Sequence, residues 1–195
     1  MKRLALALVA TLAATTTAWA DEIAPERIIA AATGDWNKDG NQDLALLVAP
    51  KDEDENIGLY IYLRDKEHLL LKLAASAPDK VVGNSNIEGM FGQDPAISAL
   101  PSGSIAVHSE NSGIGRDRWE QTLTIAYRNA SFVVAGFTYS HYDTLDPDAG
   151  GSCDYNVLTG KVTNNGKDRK VDARTIAIVD WTDDAGTKAC GISND

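Results

Sequence analysis

Apolar residues in this chain recur mainly at every second position, in short runs separated by turn-forming residues. The clearest run is Ile57, Leu59, Ile61 and Leu63, which alternates with glycine, tyrosine and arginine. Such alternation places the apolar side chains on one face of a β-strand. Beyond the first twenty residues, no window of about eleven residues keeps a clean helical stripe. The sequence therefore predicts an all-β protein with mostly antiparallel sheets of the meander or sandwich-like kind.

Other short runs predict further strands. Residues 44–48 are expected to form a hairpin with residues 57–63 across the acidic turn at 51–56. Tight turns are expected at Asn129-Ala130 and, with the stronger signal, at Asn164-Asn165-Gly166. The remaining predicted strands cover residues 68–73, 104–109, 121–128, 132–142, 156–163 and 175–181.

Composition limits both the size and the partners of the fold. The 28 acidic and 18 basic residues give a formal net charge of −10, which argues against nucleic acid or an anionic membrane as a partner. A chain of 195 residues can bury one sizeable core. We expect a single β domain at residues 21–195, with sub-structures at 26–76 and 94–192 joined by the poorly patterned stretch 78–92.

The first twenty residues have the pattern of a signal peptide. Lys2 and Arg3 precede an apolar run at residues 4–14, and Ala18-Trp19-Ala20 supplies the small residues that a signal peptidase reads. The apolar run is shorter than the roughly 20 residues of a membrane span, and no later segment is apolar enough for insertion. The sequence predicts cleavage after Ala20 and a periplasmic or secreted protein.

Two cysteines, Cys153 and Cys190, lie in the exported part, where oxidation is permitted. A structural disulfide is the simple interpretation. The competing interpretation is a metal-binding or catalytic thiol pair, but neither cysteine belongs to a Cys-x-x-Cys motif or has a histidine beside it.

The most specific motif is the segment Gly-Asp-Trp-Asn-Lys-Asp-Gly-Asn-Gln-Asp-Leu at residues 34–44. Its oxygen-bearing side chains alternate, and Gly40 permits a sharp turn. Calcium needs six to eight oxygen ligands, which this spacing delivers toward one point. The alternative is an exposed turn that binds nothing. The predicted ligands are the side chains of Asp35, Asn37, Asp39 and Asp43 and the backbone carbonyl of Asn41.

This segment resembles the calcium loop of FG-GAP and VCBS repeats, which line the blades of integrin-type β-propellers. The resemblance implies that the five residues just named hold the ion. Together with a strand at residues 28–33 and the following strand pair, it covers one blade-like unit at residues 28–75. No second loop of this kind is found, so a complete propeller and integrin-like ligand binding are not expected.

Two other acidic clusters give weaker signals. Residues 52–55 lack a glycine turn and are expected to form a solvated hairpin tip. Asp143, Asp146, Asp148 and Asp154 either form a second ion site near Cys153 or stabilise an ordinary turn, and the turn is the more usual role of such residues.

Sequence motifs of the common enzyme classes are absent. The three histidines, His68, His108 and His141, are far apart in the chain, and no nucleophile elbow, phosphate-binding loop or dinucleotide fingerprint is found. Paired carboxylates of a glycosidase are set by the fold and remain open. We therefore expect no enzymatic activity and predict no catalytic residue.

Aromatic side chains crowd the C-terminal half, and Phe137, Tyr139 and His141 share one strand face. Core packing is the usual role of such residues. If the face is exposed instead, it would suit a carbohydrate or a protein partner.

Two functional hypotheses follow from these patterns. The first is an exported, calcium-binding, non-enzymatic binding or interaction domain, such as an inhibitor or an envelope accessory protein. The second is a small secreted hydrolase with acidic catalytic residues. The sequence leaves the ligand and the oligomeric state open.

Overall fold

The computed structural model describes residues 23–52, 55–83 and 91–192. The predicted signal peptide at residues 1–20 lies outside these residues. The described part consists mainly of antiparallel strands in two sheets, with no closed barrel or propeller among these residues, so the predicted fold class is confirmed. No helix in the described part has the length and apolar character required to span a membrane.

The first sheet is a four-stranded antiparallel meander in which each strand pairs with the next along the chain. The predicted hairpin between residues 44–48 and 57–63 forms its two central strands. The strands are β1 (Ile28–Gly34), β2 (Asp43–Val48), β3 (Ile57–Arg64) and β4 (Leu71–Val81).

The second sheet continues the meander through seven antiparallel strands in chain order. Its strands are β5 (Ala96–Ala99), β6 (Ile105–Asn111), β7 (Asp117–Arg128), β8 (Ser131–Asp143), β9 (Gly151–Asn156), β10 (Lys161–Asn164) and β11 (Lys167–Lys170). One α-helix, α1 (Asp183–Cys190), follows the sheet. Short 3₁₀-helices lie at Pro25–Arg27, Pro147–Ala149 and Ile178–Asp180.

Both predicted tight turns are confirmed. Asn129 and Ala130 have φ angles of 50° and 61° and join β7 to β8. Asn165 and Gly166 have φ angles of 48° and 74° and join β10 to β11. Two-residue turns with positive φ at both central residues match the right-handed twist of the flanking strands. Asparagine and glycine are common in such turns because they adopt positive φ more readily than other residues.

The buried side chains form one apolar cluster with members from both sheets. Leu47 and Ile61 contribute from the first sheet, and Ile125 and Phe137 contribute from the second. All four have relative exposures of 0%. Full burial of an aliphatic or phenylalanine side chain stabilises a fold by about 1.5 to 3 kcal/mol, so this cluster favours the two sheets packing together.

The predicted disulfide is present. Cys153 in β9 and Cys190 at the end of α1 are bonded, with their Cα atoms 5.9 Å apart, and no free cysteine remains. The bond attaches the only α-helix of the described residues to the second sheet. The two cysteines are thus paired with each other, as the structural interpretation predicts.

Three predicted strands are wrong in position or in kind. The strand predicted at 68–73 begins only at Leu71, because backbone N–H groups of residues 67 and 68 donate to Asp65 and form a turn there. The strand predicted at 156–163 is split into β9 and β10 by a turn ending at Gly160, whose φ is 74°. The segment predicted at 175–181 has one isolated bridge, from Ala177 to Val133, and then a 3₁₀-helix.

The stretch 78–92 is only partly as predicted. Strand β4 continues through Pro78 to Val81, because β4 lies at the edge of its sheet, where a residue without an N–H group is tolerated. Residues 84–90 of this stretch lie outside the described part.

Candidate metal centre

The predicted calcium loop lies between β1 and β2, at one end of the first sheet. Gly34 at the end of β1 pairs with Asp43 at the start of β2, so the loop is closed by the sheet itself. Lys38 and Gly40 adopt positive φ angles of 60° and 90°. These two left-handed residues fold the segment back on itself, as the position of Gly40 predicts.

The side chains of Asp35 and Asn37 accept hydrogen bonds from the backbone of the turn. Oδ1 of Asp35 accepts from the N–H of Asp39 at 2.9 Å, and Oδ2 accepts from the N–H of Gly40 at 2.9 Å. Oδ1 of Asn37 accepts from the same Asp39 N–H at 3.1 Å. These bonds bring the oxygens of both side chains to the inside of the loop.

Asp39 is the most connected side chain of the loop. Its Oδ1 accepts from the N–H and from Nδ2 of Asn41, both at 2.9 Å, and its Oδ2 accepts from Nδ2 of Asn37 at 3.0 Å. Lys66 Nζ lies 4.0 Å from Oδ2. Chiefly because of the bond from the Asn41 backbone, the pKa of Asp39 lies below its ordinary value of 3.8, so the group is a carboxylate at neutral pH.

Asp43 is buried at the base of the loop, with a relative exposure of 1%. Its Oδ2 accepts from the N–H of Trp36 at 3.0 Å, and its Oδ1 accepts from the N–H of Arg64 at 3.0 Å. It thus connects the start of the loop to the end of β3. The described residues give Asp43 no ion-pair partner.

The structure therefore joins four of the five predicted ligand residues in one network and holds the fifth apart. Asp35, Asn37, Asp39 and Asn41 are connected by direct hydrogen bonds. Asp43 bonds to other groups. One carboxylate oxygen from each of Asp35, Asp39 and Asp43 cannot be chosen so that all three lie within 4.8 Å of one another. Whether the five residues hold an ion stays a prediction.

The oxygens of the network retain the capacity to bind a cation. A carboxylate offers about four lone-pair sites. Asp35 and Asp43 each use two in the hydrogen bonds described, and Asp39 uses three. A donor set of hard carboxylate, amide and carbonyl oxygens suits calcium rather than a transition metal.

The acidic cluster at residues 143–154 has the hydrogen bonds of a turn. Oδ1 of Asp143 accepts from the N–H groups of Leu145 and Asp146, and Oδ2 lies 2.6 Å from the guanidinium of Arg116. Asp146 in turn accepts from the N–H of Asp148. These bonds correspond to the turn alternative of the sequence analysis. The other acidic cluster, at 52–55, has its two described members exposed.

Replacing Arg116 by alanine is expected to raise the pKa of Asp143 toward 3.8. The Arg116 side chain is the main cause of the low pKa of this carboxyl, followed by the Leu145 N–H. A carboxyl with a lowered pKa stabilises the fold above its unfolded pKa, and this contribution is lost as the pH falls through the folded pKa. On acidification, the Arg116→Ala variant should lose this stabilising contribution at a higher pH than the parent does. A carboxyl-carbon NMR titration measures the shift, with Arg128→Ala as control, and an unchanged pKa would disprove the assignment.

The aromatic face on β8 extends from the core to the surface. Phe137 is fully buried, and its ring centroid lies 5.9 Å from that of Trp181. Tyr139 and His141 are partly exposed and form a row with Phe137, at centroid separations of 6.0 and 5.8 Å. Phe137 therefore packs in the interior, and only the far end of the row reaches the surface.

Sequence reasoning missed one group of metal-ligating side chains. His108, Glu110 and Glu120 each place a ligand atom within 4.8 Å of the others. Two of them are spaced His-x-Glu, which puts both on one strand face, but the third depends on the register between β6 and β7. The spacing of the three histidines along the chain carries no signal for this group, because its other two members are glutamates.

Comparisons of the chain with protein-family models, with curated proteins and with solved structures found no match.

Proposed function

We propose that this chain is an exported, calcium-binding, non-enzymatic binding or interaction domain in which the loop at residues 35–43 holds the ion. The partner would be a protein or a carbohydrate outside the cytoplasm. The observation that carries this proposal is the hydrogen-bonded network of Asp35, Asn37, Asp39 and Asn41, which gathers oxygen-bearing side chains in one closed loop.

Two side chains of this network, Asp35 and Asp39, are negatively charged carboxylates. Asp35 and Asp39 are separated by one turn, and the N–H groups that hold them are neutral donors. A bound divalent cation would offset the repulsion between the two carboxylates. It would also leave the hydrogen bonds in place, because each carboxylate oxygen can accept an N–H group and contact a cation at once.

Asp43 supports the proposal through its burial. A buried carboxylate is costly unless charge or hydrogen bonds compensate it, and here two neutral N–H groups do so. A cation in the adjacent loop would add favourable electrostatic energy to this group. In calcium loops of this spacing, the residue at the ninth position often binds the ion through water, which suits a carboxylate set back from the network.

The rest of the fold agrees with the proposal in three respects. The first sheet has four antiparallel strands, the number found in a propeller blade, as the resemblance implies. The disulfide suits an oxidising compartment. Loops beside the second sheet carry exposed apolar side chains, such as Phe91 and Leu145, that a partner could contact.

Calcium is expected to raise the melting temperature of the chain by roughly 5 to 10 °C at about 100 times its dissociation constant, because the ion binds only the folded loop. Asp39→Ala should abolish this rise, since it removes one ligand. The calcium-free variant should be about as stable as the parent, because one of the repelling carboxylates has gone. Magnesium should substitute poorly, as it prefers a tighter octahedral shell and retains its waters.

The measurement is thermal unfolding of parent and variant with calcium, magnesium or a chelator. Asp172→Ala is the matched control, because Asp172 is an exposed carboxylate outside the loop. Its calcium-dependent rise should equal that of the parent. An identical midpoint of the parent under all three conditions would mean that the loop is only a turn.

A further inference from the structure

A second set of metal-ligating side chains lies on the outer face of the second sheet. His108 and Glu110 project from β6, and Glu120 projects from the adjacent strand β7. Nε2 of His108 lies 3.5 Å from Oε2 of Glu110, and one ligand atom from each of the three residues lies within 4.8 Å of the other two.

The strand pairing explains why these three side chains meet. Residues 108 and 110 lie on one face of β6, because side chains alternate along a strand. Val107 and Ser109 lie on the opposite face and are buried. Glu110 and Glu120 are direct partners in the register of β6 and β7. Like charges in this position destabilise a sheet unless something offsets them.

We propose that His108, Glu110 and Glu120 form a site for a divalent transition metal, with zinc as the preferred ion. Zinc binds histidine nitrogen and carboxylate oxygen at about 2.0 to 2.2 Å, so two ligands in a tetrahedral arrangement lie about 3.4 Å apart. The separation of His108 Nε2 and Glu110 Oε2, 3.5 Å, matches this value. The imidazole selects zinc over calcium and magnesium, which prefer oxygen ligands alone.

Neighbouring hydroxyl groups hold each ligand in place. Thr122 Oγ1 lies 3.3 Å from Nδ1 of His108, and a hydrogen bond donated by Nδ1–H to this hydroxyl would leave Nε2 free for a metal. Ser112 Oγ donates to Oε1 of Glu110 at 3.0 Å, and Ser140 Oγ donates to Oε1 of Glu120 at 2.9 Å. Such outer contacts orient metal ligands.

Arg118 lies beside two of the three ligand residues. Its side chain lines a pocket of about 220 Å³ together with Glu110 and Glu120. Its Nη1 exposes less than 1 Å² and has no hydrogen-bond partner. A shielded guanidinium N–H group requires an acceptor. Three protein ligands leave the fourth zinc position open for a water or an anionic oxygen.

The proposal does not depend on calcium binding, because the calcium loop belongs to the other sheet and uses different donors. The test is a calorimetric titration of the full chain, freed of metal by a chelator, with zinc chloride. Cobalt(II) titration, followed by its visible absorption, reports the coordination geometry. The variants are His108→Gln and Glu120→Gln, and His68→Gln is the control, since His68 is an exposed histidine bonded to Asp65 on the first sheet.

We expect one zinc ion per chain in the parent and in the His68 variant. Either ligand variant should weaken zinc binding by at least about tenfold, an effect that even outer-shell substitutions have on metal affinity. Circular dichroism confirms that the variants are folded, and Glu120 is an exposed residue whose replacement should leave the fold intact. Absence of zinc binding in the parent, or zinc affinity unchanged in Glu120→Gln, would overturn the proposal.

Discussion

Replacing Cys190 by serine is expected to lower the free energy of unfolding by about 3 to 4 kcal/mol. The disulfide joins residues 37 positions apart, and closing a loop of this length removes much of the conformational entropy of the unfolded chain. Both cysteines are buried, with relative exposures of 2% and 0%, so the variant also leaves a polar group in the core. Helix α1 should become the least protected part of the second half of the chain.

Urea unfolding of parent and variant measures this effect. The double variant Cys153→Ser/Cys190→Ser is the matched control, because it lacks the bond without leaving an unpaired thiol. It should be destabilised by about the same amount as the single variant, and reduction of the parent should give a similar value. A loss below about 1 kcal/mol in all three cases would mean that the core alone holds α1 on the sheet.

Asp43→Ala is expected to lower the free energy of unfolding by about 2 to 4 kcal/mol even without calcium. The substitution removes the acceptor of two backbone N–H groups, those of Trp36 and Arg64. A buried donor left without a partner costs about 1 to 3 kcal/mol. The carboxylate is 1% exposed, and Trp36 is 2% exposed, so water has little access to replace the lost bonds.

Urea unfolding in the presence of a chelator isolates this structural effect from ion binding. Asp39→Ala is the internal comparison, because it removes a carboxylate from the same loop but from a more exposed position. Its effect on the calcium-free chain should be less than about 1 kcal/mol, because removing one of the repelling carboxylates offsets the loss of its hydrogen bonds. Equal effects of the two substitutions would show that the buried hydrogen bonds of Asp43 do not stabilise the fold more than those of Asp39.

The sequence was most informative where structure depends on local pattern. Strands β3, β6, β7 and β8 follow from the alternation of apolar residues, and β2 follows from its short apolar run beside an acidic turn. The two tight turns follow from Asn129-Ala130 and Asn165-Gly166. Strand β11 has the sequence Lys-Asp-Arg-Lys, which carries no apolar alternation, and its conformation depends on pairing with β10.

Helix α1 was missed for a different reason. It has only eight residues, so it is shorter than the window in which a helical stripe can be recognised. Its place is determined by tertiary contacts, since Gly186 packs directly on the ring of Phe137 and Cys190 is bonded to Cys153. Neither contact can be read from the helix's own sequence.

The candidate sites also differ in whether local sequence or tertiary contacts bring their residues together. The loop at 35–43 is contiguous, so its donors could be identified by spacing. The contact between Asp43 and the N–H of Arg64 spans 21 residues, and it requires the pairing of β2 with β3. The proposed zinc site requires the register of β6 with β7, which the apolar alternation within either strand does not determine.

The most direct test of calcium binding by the loop is a calorimetric titration of the chelator-treated chain with calcium. We expect one calcium ion per chain in the parent, in Asp172→Ala and in His108→Gln, because the last two substitutions lie outside the loop. Asp39→Ala should show no binding in the same concentration range. Absence of calcium binding in the parent, or the same affinity in Asp39→Ala, would contradict the account.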